Sequence, residues 1–159
     1  MIALILAAGE GSRMGELTDR PKSFLEIDGR SIIDHQLAAI DNVSAERTVM
    51  VVGYRSDLFE ERYGDRGDVE LVLNPFFART NVLASVWFAR EHLHDGFFYF
   101  HADTYFEPTI LRDLEAESGD VVLAVDYKET VPEDMKVKTE GSAVVEISKE
   151  MACQDAIGE

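Results

Sequence analysis

From its second residue the chain runs through an unbroken apolar stretch, Ile2-Ala3-Leu4-Ile5-Leu6, and passes by way of Ala7-Ala8 straight into Gly9-Glu10-Gly11. The stretch does not alternate, so neither face suits water, and it is too short to cross a bilayer. A strand buried on both faces satisfies it. A secretory leader is the competing reading, but the basic n-region is missing and the apolar residues end in a glycine loop. A doubly buried strand needs layers above and below it, and the rest of the chain must supply them.

It does so by alternation. Further strands are predicted at Thr48–Val52, Val69–Leu73, Phe97–Phe100 and Val121–Val125, and a strand pair within 135–147 turning at Glu140-Gly141. Between them lie helical stripes. Ser31 caps a helix carrying Ile33, Leu37 and Ile40; a short helix covers Ser56–Tyr63; Val82, Val86, Ala89 and Leu93 line another; and Pro108 opens one running to about Glu117. Asn74-Pro75 ends the third strand. Strand and helix in turn predict an α/β domain with a mainly parallel central sheet. Ligands of such sheets sit beyond the carboxyl ends of the strands. Here the first strand ends in the glycine loop and the fourth in His101-Ala102-Asp103.

The loop, Gly9-Glu10-Gly11-Ser12-Arg13-Met14-Gly15, fails two named motifs. Met14 stands where a dinucleotide fingerprint needs its third glycine, which argues against an NAD-binding module, and no Gly-Lys-Ser/Thr completes a Walker A pattern. What remains is a glycine loop whose N–H groups can face phosphate oxygens, with Arg13 in it and Pro21-Lys22 after it. Arginine grips phosphate through a fork and lysine as a movable point charge. The alternative is a plain strand-to-helix loop whose Arg13 and Lys22 pair with nearby carboxylates.

Charge sharpens the point. Asp plus Glu total 31 against 15 Lys plus Arg, a net charge of −16. Such a surface repels nucleic acid and anionic membrane, so an anionic substrate must be met by local cations. Arginines outnumber the lysines, which are Lys22, Lys128, Lys136, Lys138 and Lys149. An acidic, lysine-poor surface points to a high-salt cytoplasm, with an ordinary acidic protein as the alternative. Cys153 is the single cysteine, which excludes an internal disulfide and fits a reducing cytoplasm.

The string Leu6-Ala7-Ala8-Gly9-x-Gly11-Ser12-Arg13-Met14, then Pro21-Lys22, Ile27-x-Gly29 and Ile32-Ile33, resembles the signature of the sugar-phosphate nucleotidyltransferase superfamily, with its MobA-like NTP-transferase domain. More loosely, Asn74-Pro75, Thr80-Asn81, Ser85, Asp103, Asp134-Met135-Lys136-Val137, Ile147-Ser148-Lys149 and Gly158-Glu159 resemble the branch holding phosphocholine and inositol-phosphate cytidylyltransferases. The resemblance implies a Rossmann-like, three-layer domain of GT-A type over residues 1–159, either whole or truncated at its C-terminus. Family members run on further and usually draw a second metal carboxylate and part of the acceptor pocket from that tail. It also implies a nucleotidyltransferase moving NMP, CMP in first place, from an NTP to phosphocholine, inositol phosphate or a sugar 1-phosphate. Sugar-1-phosphate transfer from UTP, dTTP or GTP, and a non-catalytic nucleotide-binding regulatory subunit, are the alternatives.

The site residues that follow are Leu6, Ala7, Ala8, Gly9, Gly11, Ser12, Arg13, Lys22, Thr80 and Asn81 for the nucleotide, with Arg13 and Lys22 acting on its phosphates. Asp103 would hold Mg²⁺, a natural ligand at a strand's carboxyl end beside a phosphate loop; a turn or capping role is its alternative. Thr80, Asn81 and Ser85 are balanced between touching the base or ribose and capping a helix. His101 is read as packed rather than substrate-binding. Trp87, Tyr99, Tyr105 and Tyr127 are read as core before a cation–π pocket, and Lys136, Lys138 and Lys149 as either acceptor-phosphate ligands or the solvent face of a strand. The expected partners are an NTP and a small phosphorylated acceptor, with no nucleic acid and no membrane; a homo-oligomer is compatible with the sequence.

Overall fold

The computed structural model describes residues 1–11 and 19–159, which cluster into two compact units, Met1–Glu115 and Ala116–Glu159. The elements in chain order are β1 (Ile2–Ala7), β2 (Glu26–Ile27), β3 (Arg30–Ser31), α1 (Ile32–Ile40), β4 (Thr48–Val52), α2 (Ser56–Tyr63), β5 (Val69–Leu73), α3 (Val82–Phe88), β6 (Phe97–His101), α4 (Thr109–Ala116), β7 (Lys136–Glu140) and β8 (Ala143–Ser148).

In the first unit four strands form a parallel sheet in the order β5-β4-β1-β6. All residues of β1 and β4 are buried, as their unbroken apolar runs require. The chain winds outward from β1 to β4 and β5, then returns to place β6 on the other side of β1. With right-handed crossovers this reversal puts α3 on the opposite face from α1 and α2. The packing agrees. Ile33, Leu37, Phe59, Tyr63 and Leu111 pack with Ala3, Ile5, Met50 and Phe98 on one face. Val86, Ala89 and Leu93 pack with Leu4, Leu6, Val49 and Val51 on the other. The domain is therefore the expected three-layer α/β arrangement.

Local chemistry sets the helices. The Ser31 hydroxyl accepts from the Asp34 N–H at 3.3 Å and so caps α1. Asp28 and Gly29, both at positive φ, make the tight turn between β2 and β3. The Tyr63 hydroxyl donates to Asp34 at 2.8 Å, and burial, helped by that carboxylate, pushes its phenol up. Helix α3 ends at Phe88, and its stripe continues through a 3₁₀ turn, Arg90–His92. Val82 lies outside the stripe, 48% exposed at the first turn.

The second unit holds the β7–β8 hairpin, turning through Gly141 at φ 64°. Val137 and Asp126 exchange backbone hydrogen bonds with the terminal residues Ile157 to Glu159. The strand expected at Val121–Val125 does not form. An apolar run suits a strand only if a neighbour takes up its N–H and C=O rows. These residues lie in no ladder; Val121 is 80% exposed, and ladder bonds begin only at Asp126. No helix among the described residues is long and apolar enough to cross a membrane.

Candidate active site

The winding reversal places the carboxyl ends of β1 and β6 side by side, with Leu6 opposite His101. The Ala102 N–H donates to the Leu6 carbonyl at 3.1 Å, and on the other side the Tyr54 N–H donates to the Ala8 carbonyl at 3.0 Å. The end of β1 is thereby clamped from both flanks. Above it opens a cavity of about 750 Å³, ample for a nucleotide.

The structure brings most of the predicted residues to this one cavity. Leu6, Ala7, Ala8, Gly9 and Gly11 form its floor; Lys22, Thr80, Asn81 and Asp103 stand around it. Ser12 and Arg13 lie outside the described residues. Gly11 sits at φ 64°, and a Cβ there would lie 2.7 Å from Lys22 Cε and 3.0 Å from its Cγ. Glycine is thus needed both for the backbone turn and for the lysine stem that crosses it.

Lys22 opens a short 3₁₀ turn after Pro21. Leu25 is 36% exposed, whereas Phe24 packs on Phe59 at 4.8 Å between ring centroids. Among the described residues no carboxylate pairs with the Lys22 ammonium, so the ion-paired alternative is not realised there. Next to it, Ser23 is buried and its hydroxyl has no partner among the described residues. A buried unpaired hydroxyl costs about 1–3 kcal/mol, so this is a place where a ligand atom would be stabilising.

The opposite wall is internally satisfied. Buried Asn74 donates to Thr80 Oγ1 at 3.2 Å and to Ser85 Oγ at 3.1 Å, and accepts from the Phe76 N–H at 3.0 Å. Thr80 Oγ1 donates to the Phe76 carbonyl, and Asn81 caps α3 by accepting from the Leu83 N–H at 3.1 Å. The capping role of Asn81 is therefore real, and it lines the cavity as well. The sequence flagged Asn74 as a strand breaker and as part of the branch resemblance, but not as a buried amide that organises three neighbours.

Asp103 stands two residues past β6, exposed at the cavity. Among the described residues no hydrogen bond or ion pair engages its carboxylate. None of these residues gathers three or more His, Cys, Asp or Glu into a metal cluster. Mg²⁺ does not require one, since it is usually held by one or two carboxylates together with substrate phosphates and water. A carboxylate with no partner among the described residues, at a cavity whose lining includes Gly9, Gly11 and Lys22, fits that habit. His101, expected to be packed, is exposed and lines the cavity; its Nε2 lies 3.2 Å from the Tyr99 hydroxyl, whose phenol burial pushes up. The reason is that β6 is an edge strand whose outward side chains, Phe97, Tyr99 and His101, are exposed.

Two other expectations need correction. Trp87, Tyr99, Tyr105 and Tyr127 are all exposed rather than core, and the first three do not line the cavity. The Trp87 ring is covered by the Arg90 guanidinium at 4.4 Å. Lys136 is fully buried, with Nζ donating to the carbonyls of Pro132 at 3.0 Å and Asp134 at 3.2 Å, so it is neither solvent-facing nor free for a phosphate. Lys138 and Lys149 are exposed.

The chain is similar to known proteins in sequence and in fold. The chain is 38% identical over 118 residues to the CMP-5'-(3-aminopropyl)phosphonate synthase of Streptomyces rubellomurinus, covering 72% of this chain and 19% of that protein. It is 29% identical over 138 residues to the UTP–glucose-1-phosphate uridylyltransferase of Haloferax volcanii, covering 81% and 56%. The chain thus spans little more than half of one relative and a fifth of the other. Among solved structures, the inositol-1-phosphate CTP transferase of T. maritima superposes with a TM-score of 0.74 at 26% identity, over 94% of this chain and 64% of that one. The MobA-like NTP transferase domain family matches residues 3–144, and the chain belongs to that family.

Proposed function

We propose that this protein transfers a nucleoside monophosphate, CMP in first place, from an NTP to a small phosphorylated acceptor and releases pyrophosphate. The observation that carries the reading is a set at one cavity with no partners among the described residues: Lys22 over Gly11, the Ser23 hydroxyl, and Asp103 beyond the clamped end of β1. CMP is favoured because relatives named for CMP or CTP chemistry stand beside it both in sequence and in fold. UTP is the second reading, favoured by the uridylyltransferase relative. A phosphocholine, inositol phosphate, sugar phosphate or phosphonate acceptor supplies an ionised oxygen.

An acceptor oxygen of this kind attacks the α-phosphorus in line and pyrophosphate leaves; because it is already ionised, no general base is required. The protein's task is positioning and charge neutralisation. N–H groups at Gly9 and Gly11 meet the phosphates, Arg13 takes the leaving β- and γ-phosphates, and Lys22 faces the α-phosphate. Asp103 would hold Mg²⁺, which would supply charge neutralisation and a template for both reactants. The setting is a cytoplasm of high salt, to which the net charge of −16 is suited. Pyrophosphate release by the full-length gene product in molar KCl, with each NTP against phosphocholine, inositol 1-phosphate, an alkylphosphonate and glucose 1-phosphate, tests the reading. CTP with one acceptor should give release; no release with any pair would leave a regulatory nucleotide-binding protein.

A further inference from the structure

The Asp103 carboxylate hangs from a short arc of backbone, His101-Ala102-Asp103-Thr104, and that arc is pinned at three points. Ala102 is tied to β1 through Leu6, and the Thr104 N–H closes a turn onto the His101 carbonyl at 3.2 Å. The third tie comes from a different layer. Gln36 of α1, 1% exposed, donates from Nε2 to the carbonyls of His101 at 2.8 Å and Thr104 at 2.7 Å, one on each side of Asp103.

This glutamine stands on the buried face of α1, among Ile32, Ile33, Leu37 and Ile40. Its Oε1 is buried with no partner among the described residues. A methionine of similar length would fill the same space and leave no orphaned acceptor, so packing does not account for the choice. What only the amide supplies is two donors aimed at two carbonyls of one turn. We propose that Gln36 is a positioning residue that fixes the Asp103 turn and thereby the geometry of the metal carboxylate; the proposal rests on the reading of Asp103 as the metal ligand.

Residues that orient a metal ligand typically change metal affinity by about 10–100-fold when removed. In Gln36→Met the two carbonyls lose the Gln36 donor, and the arc keeps only its ties to Leu6 and within its own turn. Mn²⁺ held by the full-length protein with a non-hydrolysable CTP analogue, followed by water-proton relaxation, should bind about tenfold more weakly or worse. The Mg²⁺ concentration for half-maximal turnover should rise in parallel, while KM for the NTP at saturating metal stays near the parent value. A merely structural role would lower the melting temperature and leave both metal readouts unmoved, and that result overturns the proposal. If Gln36→Met does not fold, Gln36→Glu serves: buried and protonated it keeps the volume and one donor, so an intermediate loss of Mn²⁺ affinity is expected and parent affinity would overturn the idea. Asp103→Asn in the same titration separates the two claims. Parent-like Mn²⁺ binding there overturns the Asp103 reading itself, whereas lost binding there with parent affinity in the Gln36 variants overturns only the positioning role.

Discussion

The two walls of the cavity are built on opposite terms. On the wall formed by Asn74, Thr80, Asn81 and Ser85, polar side chains hydrogen-bond to each other and to nearby backbone. On the wall of Lys22, Ser23 and Asp103, no such bonds form among the described residues, and one hydroxyl is buried unpaired. Buried polar groups are almost always satisfied, so a cluster left open marks where something else completes it. The satisfied wall fixes a shape, and the open wall meets charge. Substitutions should therefore separate cleanly: rate without stability on one side, stability with little rate on the other.

The largest effect is expected from Asp103→Asn. A neutral amide is a weak Mg²⁺ ligand, and the charge stabilisation at stake corresponds to roughly 10³-fold in kcat. Circular dichroism should show an unchanged fold; near-parental turnover at limiting Mg²⁺ would contradict the assignment.

Lys22→Ala comes next. Removing a preorganised cation aimed at developing charge costs about 10²–10³ in rate. Steady-state kinetics should show that loss with almost no change in melting temperature, and Lys22→Arg should recover only part of it, because a planar fork does not replace a compact charge across Gly11.

Asn74→Ala should do the reverse. It removes three hydrogen bonds and strands the Phe76 N–H, costing about 1–3 kcal/mol and several degrees in melting temperature. The kcat should fall less than tenfold. A catalytic loss as large as that of Lys22→Ala would erase the contrast between the walls.

The smallest effect is on the whole surface. With a net charge of −16, thermal melts across a KCl series should rise from dilute buffer to molar salt as the screening length shrinks from about 10 Å to about 3 Å. A flat or falling series would remove the high-salt reading.

The same contrast governs what the chain discloses before folding. The strands β1 and β4 are apolar runs, as their burial on both faces requires, and Ser31 and Pro108 mark helix starts where they occur. Gly11, Lys22 and Asp103 are legible as candidates because the proposed chemistry calls for a glycine loop, a cation and a carboxylate near strand ends. Asn74 and Gln36 are not, since their work is to bond to backbone and side chains distant in sequence. A signal did exist for Gln36, the one polar residue on an otherwise apolar helical face. Val121–Val125 misled because an apolar run carries no information on whether a neighbouring strand awaits it.

The central claim is that the acceptor's own phosphate oxygen attacks the α-phosphorus of the nucleotide. Acceptor phosphate labelled with ¹⁸O, turned over with CTP by the full-length protein and read by ³¹P NMR, tests it directly. The account predicts ¹⁸O in the bridge of the new diphosphate and none in the released pyrophosphate. Release of inorganic phosphate from the γ-position, or a bridge without the label, would contradict it.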